Sequence, residues 1–430
     1  MSKTLQAIRG MNDILPADGA LWLYLEDTAR RIFEQYGYRF VRMPIVENTA
    51  LFVRGIGEAT DVVEKEMYTF EDGPSKEKES LTLRPEATAG IVRAAIEHNL
   101  TYERGQRVWT HGAMFRHERP QKGRYRQFYQ LDVEALDFAG PDVDAEQIVL
   151  LARLWKELGL TDAVRLKINT IGDQNDRRAY RETLITYFSR YPEQLDDDSR
   201  RRLHRNPLRI LDSKNPAMQT LIENAPRMLD HINPDARTHF EALQALLRQA
   251  GIDFEIDTRL VRGLDYYNRT VFEWVTDRLG AQGTVAGGGR YDGLFELLGG
   301  KSTPACGFAA GIERLILLLQ ERKTECSDAP AIYLVFQGDE VVAFAWRVAE
   351  TLRNEGYALT LNAGGGNFKS QMKKADASGA RIALILGDDE AHSRTITVKW
   401  LRDTDKTQHT GEQERVSAAE LGRWLKAHGV

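Results

Sequence analysis

Cations are concentrated in one segment of this sequence, between Phe115 and Glu134. From Arg116 to Arg126 the segment holds five Lys and Arg residues against one carboxylate, Glu118. Because guanidinium groups stay charged and bind phosphate oxygens through paired N–H groups, this excess predicts an anionic ligand. The excess is local, since the whole chain has a formal net charge of -5. A solvated strand face with alternating charges would produce the same pattern and remains the alternative.

The same segment has the pattern of a β-hairpin. Pro120 and Gly123 favour a turn, because Pro fixes φ and Gly permits positive φ, and β-rich sequence flanks them on both sides. Alternate residues of a strand share a face. One face of the second strand is therefore predicted to carry Arg124, Arg126, Phe128, Gln130, Asp132 and Glu134. Such a face would offer guanidinium to phosphate, an aromatic ring to a base, and amide and carboxylate groups to a cationic or hydrogen-bonding ligand.

Two further arginines occupy positions that favour a functional role. Arg262 precedes a glycine between two predicted strands, 252–259 and 266–275, so a sharp turn would hold it at a strand end. Arg314 lies in the first turn of a predicted helix, where positive charge is unfavourable to the helix dipole. A bound anion would account for the placement of Arg314. For Arg262 a purely structural role remains the alternative, because Arg beside Gly in a turn is often only structural.

Glycine-rich segments and one acidic residue complete the candidates. Gly287–Gly293 and Ala305–Arg314 each precede a helical pattern, so their backbone N–H groups are predicted to approach a phosphate or a small substrate. Gly287–Gly293 lacks the spacing of a dinucleotide-binding loop, and the sequence contains no G-x-x-x-x-G-K-[ST]. Glu86 opens a predicted helix, 87–98, where capping alone would explain a carboxylate.

Length and composition limit the architecture and the setting. At 430 residues the chain is long for one core, which predicts two or three domains. The two cysteines lie in no cluster with metal-ligand spacing, so we expect no protein-only metal site. The first residues lack an apolar signal core and no apolar run is long enough to span a bilayer. We therefore expect a cytoplasmic protein that does not enter a membrane.

Changes in pattern along the chain predict its divisions. A helix over 18–36 and an edge strand over 38–46 come first. From about 173 to 250 only helical spacing is evident, which predicts an inserted helical subdomain. A polar stretch predicts the main boundary at residue 328, and 329–430 alternates strands and helices as a small α/β unit does.

Five segments resemble known motifs and occur in the expected order along the chain. Three resemble the motifs of class II aminoacyl-tRNA synthetases: Tyr38–Glu47 with its preceding helix, Phe115–Glu134, and Ala305–Leu315. Two others are similar to histidine-specific signatures: Leu260–Tyr267 and Gly287–Leu294. Over essentially all 430 residues the chain resembles bacterial-type histidyl-tRNA synthetases.

The resemblance implies a fold, a reaction and partners. It implies an α+β protein whose catalytic domain, 1–328, has a mainly antiparallel sheet flanked by helices and the inserted helical subdomain, with an anticodon-binding α/β domain over 329–430. The implied reaction joins L-histidine and ATP to give histidyl-adenylate and pyrophosphate, then transfers histidine to the 3′ end of tRNA(His). ATP is a substrate accompanied by Mg²⁺, and the implied assembly is a homodimer.

The resemblance also assigns site residues by matching position. It implies catalytic roles for Arg116 and Arg262. It implies that ATP is bound by Arg116, Glu118, Arg124, Phe128 and Arg314. It implies that histidine is bound by Glu86, Thr88, Arg116, Gln130, Glu134, Arg262, Tyr266 and Tyr267, with Arg290 nearby. The hairpin tip, Gln121 and Lys122, is a candidate contact to tRNA.

Alternatives and departures remain at this point. A non-catalytic, synthetase-like regulatory subunit of histidine biosynthesis resembles the same catalytic domain, but such subunits usually lack the anticodon-binding domain and the ATP-site arginines. A class II synthetase for another amino acid would leave the two histidine signatures unexplained. Asp132 stands where a small residue is frequent in the family, Tyr129 where His is common, and Ala87 where Gly is common. An extra carboxylate at Asp132 is expected to weaken adenylate binding, although acidic variants are compatible with the family.

Overall fold

The structure, a computed structural model, describes residues 4–58, 60–72, 78–213, 215–280, 283–402 and 412–430. Within it the chain forms two units, Met1–Cys326 and Ser327–Val430. The first unit holds every candidate site residue named above, so its architecture is described first.

The first unit is built on a large mixed sheet. Its strands are β1 (Arg39–Phe40), β2 (Val46–Asn48), β3 (Tyr68–Glu71), β4 (Ser80–Leu83), β5 (Gln106–Phe115), β6 (Gln127–Leu136), β7 (Arg165–Thr170), β8 (Glu255–Ile256), β9 (Asn268–Val275), β10 (Thr284–Arg290) and β11 (Ala305–Gly311). Eight of them form the central sheet in the order β1-β5-β6-β11-β10-β9-β7-β8, while β2, β4 and β3 form a separate small sheet. In the central sheet the β1/β5 and β7/β8 pairs are parallel and the remaining pairs are antiparallel.

Helices flank this sheet. They are α1 (Pro16–Gln35), α2 (Thr49–Ile56), α3 (Thr88–Glu97), α4 (Pro141–Glu157), α5 (Gln174–Phe188), α6 (Asp197–Arg202), α7 (Gln219–Glu223), α8 (Pro234–Gln249), α9 (Leu294–Leu297) and α10 (Ile312–Glu321). The sheet and helices together confirm the predicted α+β class. Among the described residues, no helix of either unit is long and apolar enough to cross a membrane.

The region from α5 to α8, which we call the inserted region after the sequence prediction, is helical. It has an apolar core of its own, which includes Tyr180, Leu184, Phe188 and Met218. Its last helix, α8, packs against α4 through Leu243 and Leu247, which are buried in the main core of the unit. The inserted region therefore has a separate core and packs against the main core of the unit.

Strand β6 lies inside the sheet and separates two environments. Leu131, Val133 and Ala135 point into the main hydrophobic core and are fully buried. The alternate residues, Phe128 to Glu134 in steps of two, therefore project from the opposite face, which we call the pocket face of β6. Within the strand the predicted alternation is confirmed.

The prediction that Arg124 and Arg126 continue this face is wrong. Strand β6 begins only at Gln127. The backbone N–H groups of Arg126 and Gln127 donate to the carbonyl of Gly10, at 2.8 and 3.0 Å, and Gln127, paired with Phe115, is the first residue of β6 in the ladder with β5. The segment between β5 and β6 is therefore a long loop, in which only Gln121 and Arg124 form an isolated bridge.

Three other predicted strands are shorter than expected. Of the predicted strand 252–259, only Glu255–Ile256 forms a strand, β8. The predicted strand 38–46 divides, with Arg39–Phe40 in the central sheet and a new strand starting at Val46 in the small sheet. Pro44 lies between them, where its missing N–H group cannot support a continuous ladder. Similarly, β9 starts at Asn268, so the two tyrosines before it belong to a loop.

The second unit is a small α/β structure. Its strands are β12 (Ile332–Phe336), β13 (Leu359–Leu361), β14 (Ile382–Leu386), β15 (Thr395–Trp400) and β16 (Gln413–Ser417), and its helices are α11 (Val341–Asn354), α12 (Phe368–Ala377), α13 (Asp388–Ser393) and α14 (Leu421–Ala427). The strand order is β13-β12-β14-β15-β16. The β12 pairs with β13 and β14 are parallel, as expected for strands joined by crossover helices.

A buried ionic cluster joins four elements of the first unit. Asp144 of α4 accepts hydrogen bonds from Arg290 of β10 (2.5 Å) and Thr270 of β9 (2.6 Å), and its other contact is His239 Nε2 of α8 (2.8 Å). The side chains of Asp144 and Arg290 are fully buried. Burial alone would raise the pKa of Asp144, but hydrogen bonding by His239 and the charge of Arg290 outweigh it and lower that pKa to about 2.

We predict that Asp144→Ala strongly destabilises the protein. The substitution removes the fully buried carboxylate partner of Arg290 and leaves Asp292 as its remaining one. Removing one partner of a buried ion pair costs about 3–5 kcal/mol of the free energy of unfolding. Because the pKa of Asp144 is lowered on folding, this contribution is present above about pH 4 and is lost as the pH falls towards 2. Urea denaturation at pH 7 measures it, with Asp142→Ala, an exposed position in the same helix, as control. Equal stability of the two variants would contradict the assignment.

Candidate active site

A cavity of about 260 Å³ lies against the pocket face of β6. The sequence-predicted residues that line it are Arg116, Glu118, Arg124, Phe128, Gln130, Arg262 and Arg314. The remaining predicted histidine-binding residues, Glu86, Thr88, Glu134, Tyr266 and Tyr267, are buried and lie outside that lining. Gln121 and Lys122 are exposed at the tip of the loop between β5 and β6. The structure thus gathers the predicted ATP-binding residues around one cavity.

Two arginines bring positive charge to this cavity. The guanidinium of Arg116 lies 5.2 Å from the ring centroid of Phe128, and its Nε donates to the carbonyl of Pro85 at 3.0 Å. Arg314 donates to the carbonyls of Gly123, at 3.1 Å from Nε, and of Thr284. Burial, and then the charges of Arg116 and Arg124, lower the pKa of Arg314 to about 10. An anion between these cations would relieve their mutual repulsion.

Arg262 is held at the cavity wall by a carboxylate. Its Nη1 pairs with Oε1 of Glu273, and Oε2 of Glu273 accepts a hydrogen bond from the Thr284 hydroxyl at 2.9 Å. Burial alone would lower the pKa of Arg262, but the nearby Tyr267 and Glu273 outweigh it and raise that pKa. Arg262 therefore stays charged, and its guanidinium cannot swing freely.

The glycines of β10 have a different purpose from the predicted one. Gly287 to Gly289 lie within the strand, paired with both β9 and β11, so the expectation that their N–H groups approach a phosphate is wrong. A Cβ atom at Gly287 would lie 2.5 Å from Nη1 and 3.1 Å from Cζ of Arg262. The glycine provides the space in which the Arg262 guanidinium crosses the strand.

Glu134 lies deeper on the same face of β6, among hydroxyl donors. The Thr88 hydroxyl donates to Oε1 at 2.6 Å and the Tyr291 hydroxyl donates to Oε2. Burial raises the pKa of Glu134 well above its usual range, with these two hydrogen bonds acting in the opposite direction. Gly307 on the neighbouring strand makes room for it, because a Cβ there would overlap the Glu134 carboxylate.

Three tyrosines surround this carboxylate. The rings of Tyr266 and Tyr267 are 4.6 Å apart between centroids, and Tyr291 meets Tyr266 edge-on at 5.5 Å. All three rings are buried. They form an apolar enclosure with polar tips, in which hydrogen bonds to a small aromatic ligand would be strong because water is excluded.

Glu86 caps helix α3. Its Oε2 accepts the N–H of Thr88 at 2.7 Å and its Oε1 accepts the N–H of Ala89 at 3.0 Å. Burial raises the pKa of Glu86, and the two backbone hydrogen bonds oppose that rise. The capping interpretation thus accounts for its position, and a substrate contact stays a prediction.

Glu118 and Arg124, both predicted to bind ATP, form an ion pair with each other. The backbones of Gln121 and Arg124 exchange two hydrogen bonds at 2.9 Å, which closes the tip of the loop. The tip therefore presents Gln121 and Lys122 outward, while Arg124 turns back towards the cavity.

Sequence reasoning missed several residues of the site and misplaced one. Glu273 and Glu313 line the cavity and were not proposed. Both Glu313 oxygens accept the N–H of Tyr129 at 3.0 Å. Tyr291 lies inside the quoted signature but received no role. Arg290, expected near the imidazole, instead belongs to the buried Asp144 cluster.

Arg177 of the inserted region holds the tyrosine loop in place. Its Nη1 donates to the carbonyl of Asp265 at 3.0 Å and to that of Tyr267 at 2.7 Å. Asn206, also from the inserted region, donates to Oδ1 of Asp265 at 2.9 Å. Helical spacing alone offered no signal for these contacts, because their partners are distant in sequence.

A second, larger cavity of about 630 Å³ adjoins the first. Its wall combines inserted-region residues such as Arg209 and Gln219 with sheet residues such as Lys167. Glu273 and Thr284 line both cavities, so the two share a wall beside Arg262.

Comparison with known proteins identifies the family. Residues 10–315 match the model of the family described as histidyl-tRNA synthetase, and residues 331–428 match that of the anticodon binding domain. The chain belongs to the histidyl-tRNA synthetase family. The family assignment predicted from the five motifs is thereby confirmed.

Full-length relatives support this assignment. A histidine–tRNA ligase of Methylobacillus flagellatus is 57% identical over 420 residues, which are 98% of this chain and 98% of that protein. The histidine–tRNA ligase of Nitrosomonas europaea is 58% identical over 420 residues, 97% of this chain and 98% of that protein. The solved structure of the apo histidyl-tRNA synthetase of S. aureus is 35% identical, has a TM-score of 0.80, and covers 98% of this chain and 100% of its own.

We predict that Gly307→Ala in this synthetase family member weakens amino-acid binding selectively. The added methyl group overlaps the Glu134 carboxylate, and the displacement is expected to raise KM for the amino acid roughly tenfold to a hundredfold. KM for ATP should stay within about twofold, because β6 still presents Phe128 to the cavity. Steady-state kinetics measure both constants. Gly19→Ala, where a Cβ meets no atom within 4 Å, is the control, and equal effects of the two variants would refute the prediction.

Proposed function

We propose that this chain is a histidine–tRNA ligase that activates L-histidine with ATP and transfers it to tRNA(His). One observation carries the proposal. The cavity holds Arg116, Arg262 and Arg314 together beside the face of β6 that leads to buried Glu134. A phosphate-binding region and a polar, enclosed amino-acid region are thus adjacent on one strand.

The regulatory-subunit alternative fits less well. Relatives matched over nearly the full length are named histidine–tRNA ligase. The region from 331 to 428 also matches the anticodon-binding domain, which such subunits usually lack. A catalytic ligase is therefore the better account.

In the proposed first step, a carboxylate oxygen of histidine attacks the α-phosphorus of ATP and pyrophosphate leaves. The histidine carboxylate is already a nucleophile at neutral pH, so the step needs positioning and charge stabilisation and no general base. Arg116 and Arg262 would bind the α-phosphate oxygens, where negative charge grows as the new bond forms. The Pro85 carbonyl holds Arg116 in place, and Glu273 holds Arg262.

ATP would lie in the cavity with its adenine against Phe128 and its γ-phosphate near Arg314. The Arg116 guanidinium lies over the Phe128 ring. Adenine against Phe128 and the α-phosphate at Arg116 would therefore be bound by neighbouring side chains. We include Glu118 and Arg124 in the ATP site because their ion pair lines the same cavity.

Mg²⁺ would enter as part of the MgATP substrate. Among the described residues no group of three His, Cys, Asp or Glu side chains could hold a metal ion. Of the cavity carboxylates, Glu118 forms an ion pair with Arg124, and Glu273 and Glu313 accept hydrogen bonds from protein groups. The phosphate oxygens of ATP would therefore supply most of the ligands to the ion.

Glu134 would recognise the imidazole ring with Tyr267 and Tyr291, while Glu86, Thr88 and Gln130 would contact the α-amino group. Polar groups placed for two ring nitrogens are left unpaired when an apolar side chain of similar shape enters. Discrimination against such side chains is then large without an editing step.

The proposed macromolecular contacts use exposed surfaces. Gln121 and Lys122 at the loop tip would contact tRNA, and the larger cavity beside Arg262 would admit its 3′ end. A second copy of the chain would cover the face near β1, where Phe40 and Ile45 are each 46% exposed. Light scattering tests the homodimer, which predicts twice the mass of 48.8 kDa.

Amino-acid-dependent ATP/pyrophosphate exchange tests the function. Assayed with each of the twenty amino acids, the protein is expected to exchange label with histidine alone. Exchange that depends on another amino acid, or none with any, would overturn the proposal.

We predict that Arg262→Ala lowers the rate of exchange by about 10²–10³-fold, because it removes a charge aimed at the transition state. Far-ultraviolet circular dichroism should stay unchanged, since Arg262 lines a cavity. Arg259→Ala, a nearby half-exposed arginine outside that cavity, is the control. Exchange near the wild-type rate in the Arg262 variant would contradict its catalytic role.

We predict that Glu134→Gln weakens histidine binding far more than ATP binding. The isosteric amide replaces one acceptor oxygen by an NH2 donor, which would face a hydroxyl or ring N–H donor. Losing a charge-assisted bond costs about 10–150-fold in affinity. Separate titrations of KM for histidine and for ATP provide the measurement. Equal losses for both substrates would argue against a role in imidazole recognition.

A further inference from the structure

Asp132 is a buried carboxylate to which the proposed reaction assigns no role. It lies on the pocket face of β6, between Gln130 and Glu134, and is 1% exposed. Its Oδ2 atom has no hydrogen-bond partner among the described residues. The same is true of Oε1 of Gln130, the next residue on that face. Buried acceptors are nearly always paired, so two adjacent exceptions call for a ligand donor.

Strand register places Asp132 directly behind the cavity wall. In the pairing with β11, Asp132 lies opposite Ala309. Residues opposite each other on antiparallel strands project from the same face. Ala309 and Gln130 both line the cavity, so the Asp132 carboxylate lies beside its inner end. A substrate that extends from the cavity towards Glu134 must pass it.

The two arginines near Asp132 donate hydrogen bonds to backbone carbonyls of other residues. Arg84 donates to the carbonyls of Ala113 (3.0 Å) and Met43 (3.2 Å), and Arg116 donates to that of Pro85. Burial, followed by the charge of Glu86, raises the pKa of Asp132 well above its usual range, with Arg84 and Arg116 acting in the opposite direction. The Asp132 carboxylate is thus buried without an ion pair among the described residues, and a bound cation would neutralise it.

We propose that Asp132 binds the α-ammonium group of the amino-acid substrate, together with the amide oxygen of Gln130. This inference rests on the proposed function and extends its substrate recognition. An ammonium group has three N–H donors and no acceptor, which matches two buried acceptors with unused capacity and a second carboxylate, Glu86, nearby. The substrate carboxylate would then point towards Arg116 and Arg262, so the charges of a zwitterion match both ends of the site.

The proposal reverses the expectation that Asp132 weakens adenylate binding. In the adenylate the α-ammonium group is retained and would lie between the Asp132 carboxylate and the phosphate. The added negative charge would then hold the intermediate in place. At this position the extra carboxylate is a specificity determinant for α-amino acids over analogues that lack the amine.

A ligand series with Asp132→Asn tests the proposal. Inhibition constants in the exchange reaction are measured for histidinol, which keeps the ammonium group and lacks the carboxylate, and for imidazolepropionate, which lacks the ammonium group. We expect Asp132→Asn to raise KM for histidine and Ki for histidinol by a similar factor of about ten or more. Ki for imidazolepropionate and KM for ATP should change less than about twofold.

Asp142→Asn is the matched control, because it makes the same change of carboxylate to amide at an exposed position of α4 outside the site. It should change none of the four constants appreciably. Equal losses for all ligands, loss of ATP binding, or no loss for histidinol would each overturn the ammonium assignment. Failure of the wild-type protein to exchange with histidine would instead refute the proposed function itself.

Discussion

Arg262 can cross strand β10 only because residue 287 has no side chain. A Cβ at Gly287 would lie 2.5 Å from its guanidinium, and Glu273 on the far side of that space holds the charge in place. Arg177 from the inserted helices fixes the loop that carries it, through the carbonyls of Asp265 and Tyr267. The position of the Arg262 guanidinium thus depends on a glycine in β10 and on contacts with Glu273 and Arg177, which are distant from each other in sequence.

Gly307 and Glu134 repeat this arrangement at the other end of the site. The space that Gly307 leaves is filled by the Glu134 carboxylate, which the Thr88 and Tyr291 hydroxyls orient. Strand β6 connects the two ends. A strand rises about 3.3 Å per residue, so Phe128 and Glu134 are about 20 Å apart along the backbone. Because β6 is paired on both sides, with β5 and β11, that spacing cannot relax easily.

Local patterns predicted much of this site. Alternation along β6 correctly placed Phe128, Gln130 and Glu134 on one face, because a half-buried strand inside a sheet has little freedom of register. The same rule failed at Arg126, whose backbone bonds to Gly10, a residue more than a hundred positions away. The glycines of β10 were expected to present backbone N–H groups to a phosphate or a small substrate, since composition cannot distinguish an exposed backbone from a space that a distant side chain fills. Glu273 and Arg177 were missed for a related reason, because their partners are set by tertiary packing.

The central claim is that β6 positions both reactants, with ATP at one end and the amino acid at the other. A crystal structure with a non-hydrolysable histidyl-adenylate analogue tests it most directly. The account predicts adenine against Phe128, the phosphate between Arg116 and Arg262, and the imidazole at Glu134. An analogue bound with its adenine or its imidazole away from β6 would contradict it.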